Sequence, residues 1–95
     1  MEFQKQNHSI SEEEANKFIE ANKKRNPNGI IRFAYEADQV KELLSQPGVS
    51  HLGIYYGYDD EKGAEVLVLS GLSKDGKKAG STYLEIGVPC PPFCG

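Results

Sequence analysis

Three apolar runs, separated by two turn signals, occupy the second half of the chain between residues 49 and 86. The middle run, Val66 to Leu69, is apolar at successive positions, which is typical of a strand buried on both faces at the centre of a sheet. The flanking runs, 51–58 and 81–86, are more polar or aromatic, as edge strands are. The pattern therefore predicts a three-stranded antiparallel meander with residues 65–72 in its centre.

The two turn signals fix the predicted register of this meander. Asp75-Gly76 is typical of a two-residue type I′ hairpin turn, which pairs Leu72 with Ala79. Residues 60–63 suit a four-residue loop with Gly63 in the left-handed region. This even loop length places one set of apolar side chains on a single face, here called the core face. The core face comprises Leu52, Ile54, Tyr56, Leu67, Leu69, Leu84 and Ile86.

Two stretches before the meander have the apolar spacing of amphipathic helices. Ser11 is a predicted N-cap and Glu14 completes a capping box, so the first helix is predicted over 12–25. The second helix is predicted over 37–46. Residues 30–34, between the two, are predicted to form a short strand or a connector.

These elements predict an α+β fold in which two helices pack on one face of a three-stranded antiparallel meander, followed by an extended Pro/Cys C-terminal tail. The chain of 95 residues is predicted to form a single domain over 11–87, between a flexible N-terminus at 1–10 and the tail at 88–95. The side chains expected to pack on the core face are Phe18, Ile19, Phe33, Val40, Leu43 and Leu44.

The opposite face of the sheet is predicted to be too apolar and aromatic to face water alone. This tyrosine face carries His51, Gly53, Tyr55, Gly57, Val66, Val68, Ser70, Leu72 and Tyr83. We interpret six of these residues as a candidate binding surface: His51, Gly53, Tyr55, Gly57, Val68 and Tyr83. The tail, a second copy of the chain, or a protein partner lying across Tyr55 and Tyr83 would cover it. Gly53 and Gly57 either leave room for a ligand backbone or mark bends or bulges.

The charge balance disfavours a nucleic-acid partner. The chain has 14 acidic and 11 basic residues, and its one dense basic cluster, Lys23 to Arg25, lies at a helix C-terminus, where cations are favoured. The polar N-terminal stretch has no apolar h-region and no cleavage site, which predicts neither a signal peptide nor a membrane anchor. We therefore expect a cytoplasmic protein with a protein partner or a homodimeric state, and no membrane contact.

The sequence contains no pattern typical of a catalytic, cofactor or metal site. Neither His8 nor His51 stands beside a serine or cysteine in a recognisable triad context. Residues 70–80 are rich in glycine and lysine without P-loop spacing, and Asp59 to Glu61 lack the alternating ligands of a calcium loop. The prediction is a non-enzymatic protein with no cofactor and no bound metal.

The C-terminal tail contains both cysteines and three of the five prolines, and it is predicted to continue neither a ladder nor a helix. A disulfide between Cys90 and Cys94 is disfavoured because the cytoplasm is reducing. A metal needs more ligands than two thiols, and the Cys-x-x-x-Cys spacing disfavours redox catalysis. The remaining interpretations are a recognition or modification segment, or docking on the tyrosine face. We expect Phe93 and at least one cysteine to pack near the sheet.

Four features in order carry a family resemblance: the helix stop Gln46-Pro47-Gly48, a Tyr-Tyr-Gly-Tyr strand, a Val-Leu-Val-Leu strand and a terminal Pro-Cys-Pro-Pro-Phe-Cys. This order resembles a group of small uncharacterised bacterial proteins that end in a Pro-Cys-Pro-Pro-aromatic-Cys tail. The resemblance implies one compact domain and no established activity. The predicted function is a small binding or regulatory module that uses its tyrosine face for protein or self association. The alternative is a thiol-tail protein whose Cys90 and Cys94 carry a metal, a redox change or an enzymatic modification.

Overall fold

The computed structural model describes residues 2–94, which form two compact units. The meander unit contains residues 2–4 and 35–87, and the tail unit contains residues 5–34 and 88–94. The domain boundaries expected from the sequence, a single domain over 11–87 and a tail at 88–95, stay a prediction.

Helices and strands alternate in the first half of the chain, and strands fill the second half. The elements are α1 (Glu12–Arg25), β1 (Arg32–Ala34), α2 (Ala37–Leu44), β2 (His51–Asp59), β3 (Ala64–Leu72), β4 (Lys78–Leu84) and β5 (Val88–Cys90). The α+β class and the three-stranded antiparallel sheet, in the order β2-β3-β4, are confirmed. A two-stranded sheet pairs β1 with β5.

The β2–β3 hairpin has the predicted four-residue loop. β2 ends at Asp59, β3 begins at Ala64, and these two residues pair. Gly63 has a φ of 63°, which glycine adopts without the steric cost of a Cβ, and its amide donates to the Asp59 carbonyl at 2.8 Å. The register is continuous and pairs Ile54 with Leu69, so these side chains share one face as predicted.

The β3–β4 hairpin differs from the prediction in its turn. Gly76 has a φ of 82°, but Asp75 lacks the positive φ that a type I′ turn requires. The Gly76 amide donates to the Ser73 carbonyl at 3.0 Å, and the Ser73 amide donates to the Lys77 carbonyl at 2.8 Å. These bonds match a three-residue loop, in which a type I turn is followed by a left-handed glycine. The predicted type I′ turn is therefore wrong.

The register of β4 changes along the strand. Near the turn, Leu72 pairs with Lys78 and not with the predicted Ala79. Past a register shift, Leu69 pairs with Leu84. The shift inserts an odd number of residues into β4. Side chains alternate between faces, so an odd insertion moves the later residues of β4 to the other face, and this offsets the one-residue difference between the predicted and observed turns. Leu84 is therefore on the predicted core face, although the predicted pairing was wrong.

Helix α2 lies against β3 and β4, and the buried apolar side chains of the meander unit are found there. Leu43 of the helix is fully buried, and Leu69 of β3 is 5% exposed. The Tyr35 hydroxyl donates to the Leu67 carbonyl at 2.5 Å and so attaches the segment before α2 to the central strand.

The β2 part of the core face is open to solvent, contrary to the prediction. Leu52, Ile54 and Tyr56 are all exposed, Tyr56 at 95%. Ile86 lies beyond the end of β4 and is 82% exposed, so its predicted place in the core is also wrong. A helix of eight residues is only about 12 Å long and lies mainly against the other two strands, which leaves the β2 side chains uncovered.

Helix α1 of the tail unit has the predicted bounds. Its N-cap is Ser11, whose side-chain oxygen accepts the Glu14 amide at 3.0 Å. None of its residues is buried, and the side chains of Phe18 and Ile19 are both exposed. Few apolar residues lie along this helix, and they form too narrow a stripe to be enclosed. The packing of α1 on the meander stays a prediction.

The tail forms a strand, contrary to the expectation that it could not join a ladder. β5 pairs with β1 and places Pro89 opposite Phe33. The Ile31 amide adds a hydrogen bond to the Cys90 carbonyl at 2.7 Å. Proline has no amide hydrogen to donate, so it is tolerated in edge strands, which have a strand partner on one side only. β5 is an edge strand, because its sheet contains only β1 and β5.

Candidate association surface

The sheet register brings the residues of the tyrosine face together. In β2 and β3, Tyr55 pairs with Val68 and Gly53 pairs with Ser70. Tyr83 of β4 pairs with the same Ser70, on its other side. Paired residues point to the same face of a sheet, so Tyr55 and Tyr83 lie on one face, on opposite sides of β3 and diagonal to each other. Ser70 is fully buried between Gly53 and Tyr83, and both tyrosine side chains are about half exposed.

The two glycines of β2 lie against larger neighbours on the same face. A Cβ at Gly53 would lie 2.9 Å from Leu72 Cδ1, and one at Gly57 would lie 3.1 Å from Val66 Cγ2. The space beside Tyr55 is therefore filled by side chains of β3. Gly53 allows the Leu72 side chain to pack closely beside it, and the continuous β2–β3 register shows no bulge at either glycine.

The rim of the tyrosine face at β4 carries a cation. The Lys78 ammonium lies 4.6 Å from the centroid of the Tyr83 ring, within the range of a cation–π interaction. This contact holds an exposed aromatic ring in place. An ordered tyrosine loses little side-chain entropy when a partner binds to it.

His51 lies at the opposite end of the face and contacts two side chains. Its Nδ1 is 2.7 Å from Ser50 Oγ, and the centroid of its ring is 4.5 Å from that of Phe3. Phe3 is held there because its amide donates to the Lys74 carbonyl at 2.7 Å. No carboxylate among residues 2–94 bonds to His51, so this serine–histidine contact lacks the group that orients the base in a triad.

A shallow pocket lies next to this contact, at the end of the meander unit. Its volume is about 570 Å³. The lining residues are Glu2, Gly48, Val49, Ser50, Ser73, Lys74 and Asp75. Asp75 accepts a hydrogen bond from the Ser73 hydroxyl, and the Ser50 hydroxyl bonds to His51 outside the pocket, so three of the polar lining side chains already have partners.

The most exposed apolar side chain of the meander unit, Tyr56, is on β2, and it was expected on the core face together with Leu52 and Ile54. Tyr56 and Tyr58 project from the core-face side of the strand together with Leu52 and Ile54, and all four are exposed. The strand is thus apolar on both faces although it pairs on one side only among the described residues. The run 51–58 contains no charged residue, and that was the available signal for an edge strand without the charges that protect most edge strands.

Tyr35 is a structural anchor and not part of the exposed surface. Burial raises the pKa of its hydroxyl, and the nearby Glu85 carboxylate raises it further. A Cβ at Gly87 would lie 2.7 Å from Tyr35 Cζ, so the chain passes directly over the ring after β4. The close approach of Gly87 encloses the ring and favours the neutral hydroxyl that bonds to Leu67.

The two cysteines of the tail form a disulfide, which was the interpretation disfavoured by the sequence. Cys90 is buried and joined to Cys94. Phe93 between them is 64% exposed, and its expected docking on the sheet of the meander unit stays a prediction. The Phe93 amide donates to the Pro89 carbonyl at 3.0 Å and closes the turn. The redox state of a compartment does not indicate whether a turn brings two thiols together, so the disulfide could not be predicted from it.

Residues 2–94 contain no group of three or more His, Cys, Asp or Glu side chains placed to hold a metal ion. The same residues contain no helix long and apolar enough to cross a bilayer. The chain matches no protein-family model, and neither a curated protein nor a solved structure is significantly similar to it.

Proposed function

We propose that this chain is a small non-enzymatic association module that contacts a protein partner, or another copy of itself, through the sheet of its meander unit. The contact surface comprises the tyrosine face and the exposed side chains of β2. The observation that carries the proposal is the exposure of Tyr55, Tyr56 and Tyr58 on one strand, with Tyr83 exposed across the sheet.

The chemistry of these side chains supports a protein contact. Tyrosine offers a large apolar area with a polar tip, and tyrosines are enriched among the residues that contribute most to binding energy. Strand β2 has no formal charge before Asp59, so no charged group of this run must lose its hydration when it is covered. Isolated exposed apolar residues are common on proteins, but several on a single strand form a patch.

A quantitative pull-down tests the proposal with a matched control. The wild-type chain, the variant Tyr55→Ala/Tyr83→Ala and the variant Phe18→Ala are each immobilised and exposed to extract to which a differently tagged copy of the wild-type chain is added. Phe18 lies in the tail unit and has the same exposure as Tyr83, 58%, so its replacement controls for the loss of an exposed ring. We expect a binder recovered by the wild type and by Phe18→Ala, and lost from the double variant.

Two results bear against the proposal. Equal recovery of every binder by a double variant with a wild-type circular dichroism spectrum would show that the tyrosine face makes no contact. Conversion of a substrate by the purified chain, abolished by Ser50→Ala, would contradict its non-enzymatic character.

The disulfide favours a second candidate function, in which the tail undergoes a reversible redox change. In this case a dithiol reductant reduces the Cys90–Cys94 bond to two thiols and is itself oxidised to a disulfide. Intact mass after rapid alkylation in the native cell measures the redox state directly. A mixture of oxidised and doubly alkylated chains that shifts with the redox state of the cell supports this function, and a constant state contradicts it.

A further inference from the structure

We infer that two copies of this chain pair through the outer edges of their β2 strands, antiparallel and about a two-fold axis at Tyr55, to form a continuous six-stranded sheet. This inference rests on the proposed association function and identifies the partner at the β2 edge as a second copy of the chain. Three independent features of β2 carry it: the open edge, the pairing pattern that a two-fold axis creates, and the exposed area.

The edge of β2 lacks the features that protect other edge strands. Natural proteins block edges with charges, prolines, bulges or very short strands. β2 is nine residues long, and its pairing with β3 is regular along the whole length. Its run 51–58 contains neither a proline nor a charged residue. An edge of this kind is a template for another strand.

A two-fold axis at Tyr55 matches like surfaces with like. Antiparallel pairing of nine residues about their centre places Ile54 of one copy opposite Tyr56 of the other, and Leu52 opposite Tyr58. All four of these side chains lie on the same face and are exposed in the isolated chain. The pairing thus joins aromatic and branched side chains, the combination that stabilises neighbouring strands. It also continues the tyrosine face of one copy into that of the other.

The ends of the paired strands are complementary as well. The same register places His51 of one copy opposite Asp59 of the other, twice by symmetry. The Asp59 carboxylate is already ordered, because its Oδ1 accepts the amides of Glu61 and Lys62 at 3.0 and 3.2 Å. An imidazole N–H opposite an ordered carboxylate forms a charge-assisted hydrogen bond when the ring is protonated. Like charges do not face each other anywhere in this pairing.

The exposed area is sufficient for a modest interface. The exposed parts of Tyr55, Tyr56 and Tyr58 together amount to about two whole tyrosine side chains, so they offer at most roughly 300–500 Å² per copy to a second strand. Leu52 and Ile54 and the strand backbone bring this toward the value of about 800 Å² per partner that is typical of a specific interface. An interface of this size predicts a dimer whose population depends on concentration.

Sedimentation equilibrium of the full chain over a range of concentrations tests the dimer. Tyr56→Lys adds a charge to the outer strand at the most exposed position of β2, where the monomer fold does not depend on the side chain. We expect the wild type to dimerise and Tyr56→Lys to weaken dimerisation at least tenfold. Phe18→Lys adds the same charge at an exposed side chain of the tail unit and should dimerise like the wild type.

Cross-linking tests the register. The axis places residue 55 opposite its own copy, whereas the two copies of residue 58 lie about 20 Å apart along the strands. Under mild oxidation, Tyr55→Cys should form a covalent dimer readily and Tyr58→Cys should not. Equal cross-linking of both variants would overturn the register.

The outcomes separate this inference from the proposed function. A wild type that stays monomeric at every concentration overturns the β2 dimer, while the pull-down with Tyr55→Ala/Tyr83→Ala still decides whether the face binds another protein. A dimer that survives Tyr56→Lys but is lost in Tyr83→Ala overturns edge pairing and moves the contact to the tyrosine face.

Discussion

The side-chain oxygen of Gln46 accepts the backbone amide of Ser81 at 2.9 Å and so takes the place of a strand partner in the sheet. In the register, Gly71 pairs with Ala79 but the preceding Ser70 pairs with Tyr83, which leaves residues 80–82 without partners in β3. The amide of Thr82 also donates to Gln46 Oε1 at 3.3 Å, and Gln46 Nε2 donates to the Thr82 hydroxyl at 2.5 Å. One side chain after α2 therefore shapes the bulge of β4.

Replacement of Gln46 should destabilise the meander unit through this bulge. We expect Gln46→Ala to lower the free energy of unfolding by about 1–3 kcal/mol, because the amides of Ser81 and Thr82 lose their acceptor. Gln46→Glu keeps the acceptor and loses only the donor to Thr82, so its effect should be smaller. Urea unfolding of the three proteins measures this difference, and equal stability of all three would show that the bulge does not depend on Gln46.

The β3–β4 turn gives a prediction that separates the observed loop from a type I′ turn. Within the loop formed by residues 74–76, Gly76 alone has a positive φ, so Gly76→Ala should reduce stability by about 1–2 kcal/mol. Asp75→Ala should have a smaller effect, since the backbone at position 75 is not left-handed. Thermal melts of both variants provide the measurement. Equal and large losses would indicate positive φ at both positions and hence the type I′ turn.

Tyr35 predicts a loss of stability in alkaline solution. Its pKa is raised above 10.0 in the folded chain by burial first and by Glu85 second. Because the pKa of Tyr35 is higher in the folded chain than in the unfolded chain, folding favours its neutral hydroxyl. The stability that this hydroxyl contributes is therefore fully present below about pH 10 and is lost as the pH rises through the folded-state pKa. Tyr35→Phe should lose about 0.5–1.5 kcal/mol at neutral pH with the Leu67 hydrogen bond, and it should have a flatter stability profile above pH 10. A variant with an unchanged alkaline slope would contradict this role.

The disulfide should stabilise the small sheet of the tail unit and leave the meander unaffected. Closing so short a loop contributes roughly 2 kcal/mol in the chain-entropy model. In Cys90→Ser/Cys94→Ser, we expect faster hydrogen exchange at the Ile31 amide, which bonds to the Cys90 carbonyl. The Gly63 amide in the β2–β3 loop serves as the internal control. Unchanged exchange at Ile31 would show that β1 and β5 pair without the disulfide.

The parts of the fold that sequence reasoning predicted depend on short-range signals. Ser11 determines the start of α1, and Gly63 determines a loop between two adjacent strands, so both elements were placed correctly. The residues of β2 and β3 on the tyrosine face were also predicted correctly. Side chains alternate between the two faces along each strand, and the regular β2–β3 register keeps this alternation in step.

The errors arise where distant residues decide the structure. The bulge of β4 depends on Gln46, which lies 35 residues before Ser81, and no local pattern reports that contact. The strand at Pro89 depends on a partner at Phe33. The exposure of Ile54 and Tyr56 depends on how many strands α2 covers, and an alternating pattern does not specify this number.

The open edge of β2 is tested most directly by hydrogen exchange of the β2 amides in the wild-type chain at low and high protein concentration. Strand residues alternate in the direction of their amides, so every second β2 amide points away from β3. We expect these outward amides to become protected as concentration rises, while the Ser81 amide bonded to Gln46 does not change. Exchange at the outward amides that is rapid and identical at both concentrations would contradict pairing of β2 with a second copy.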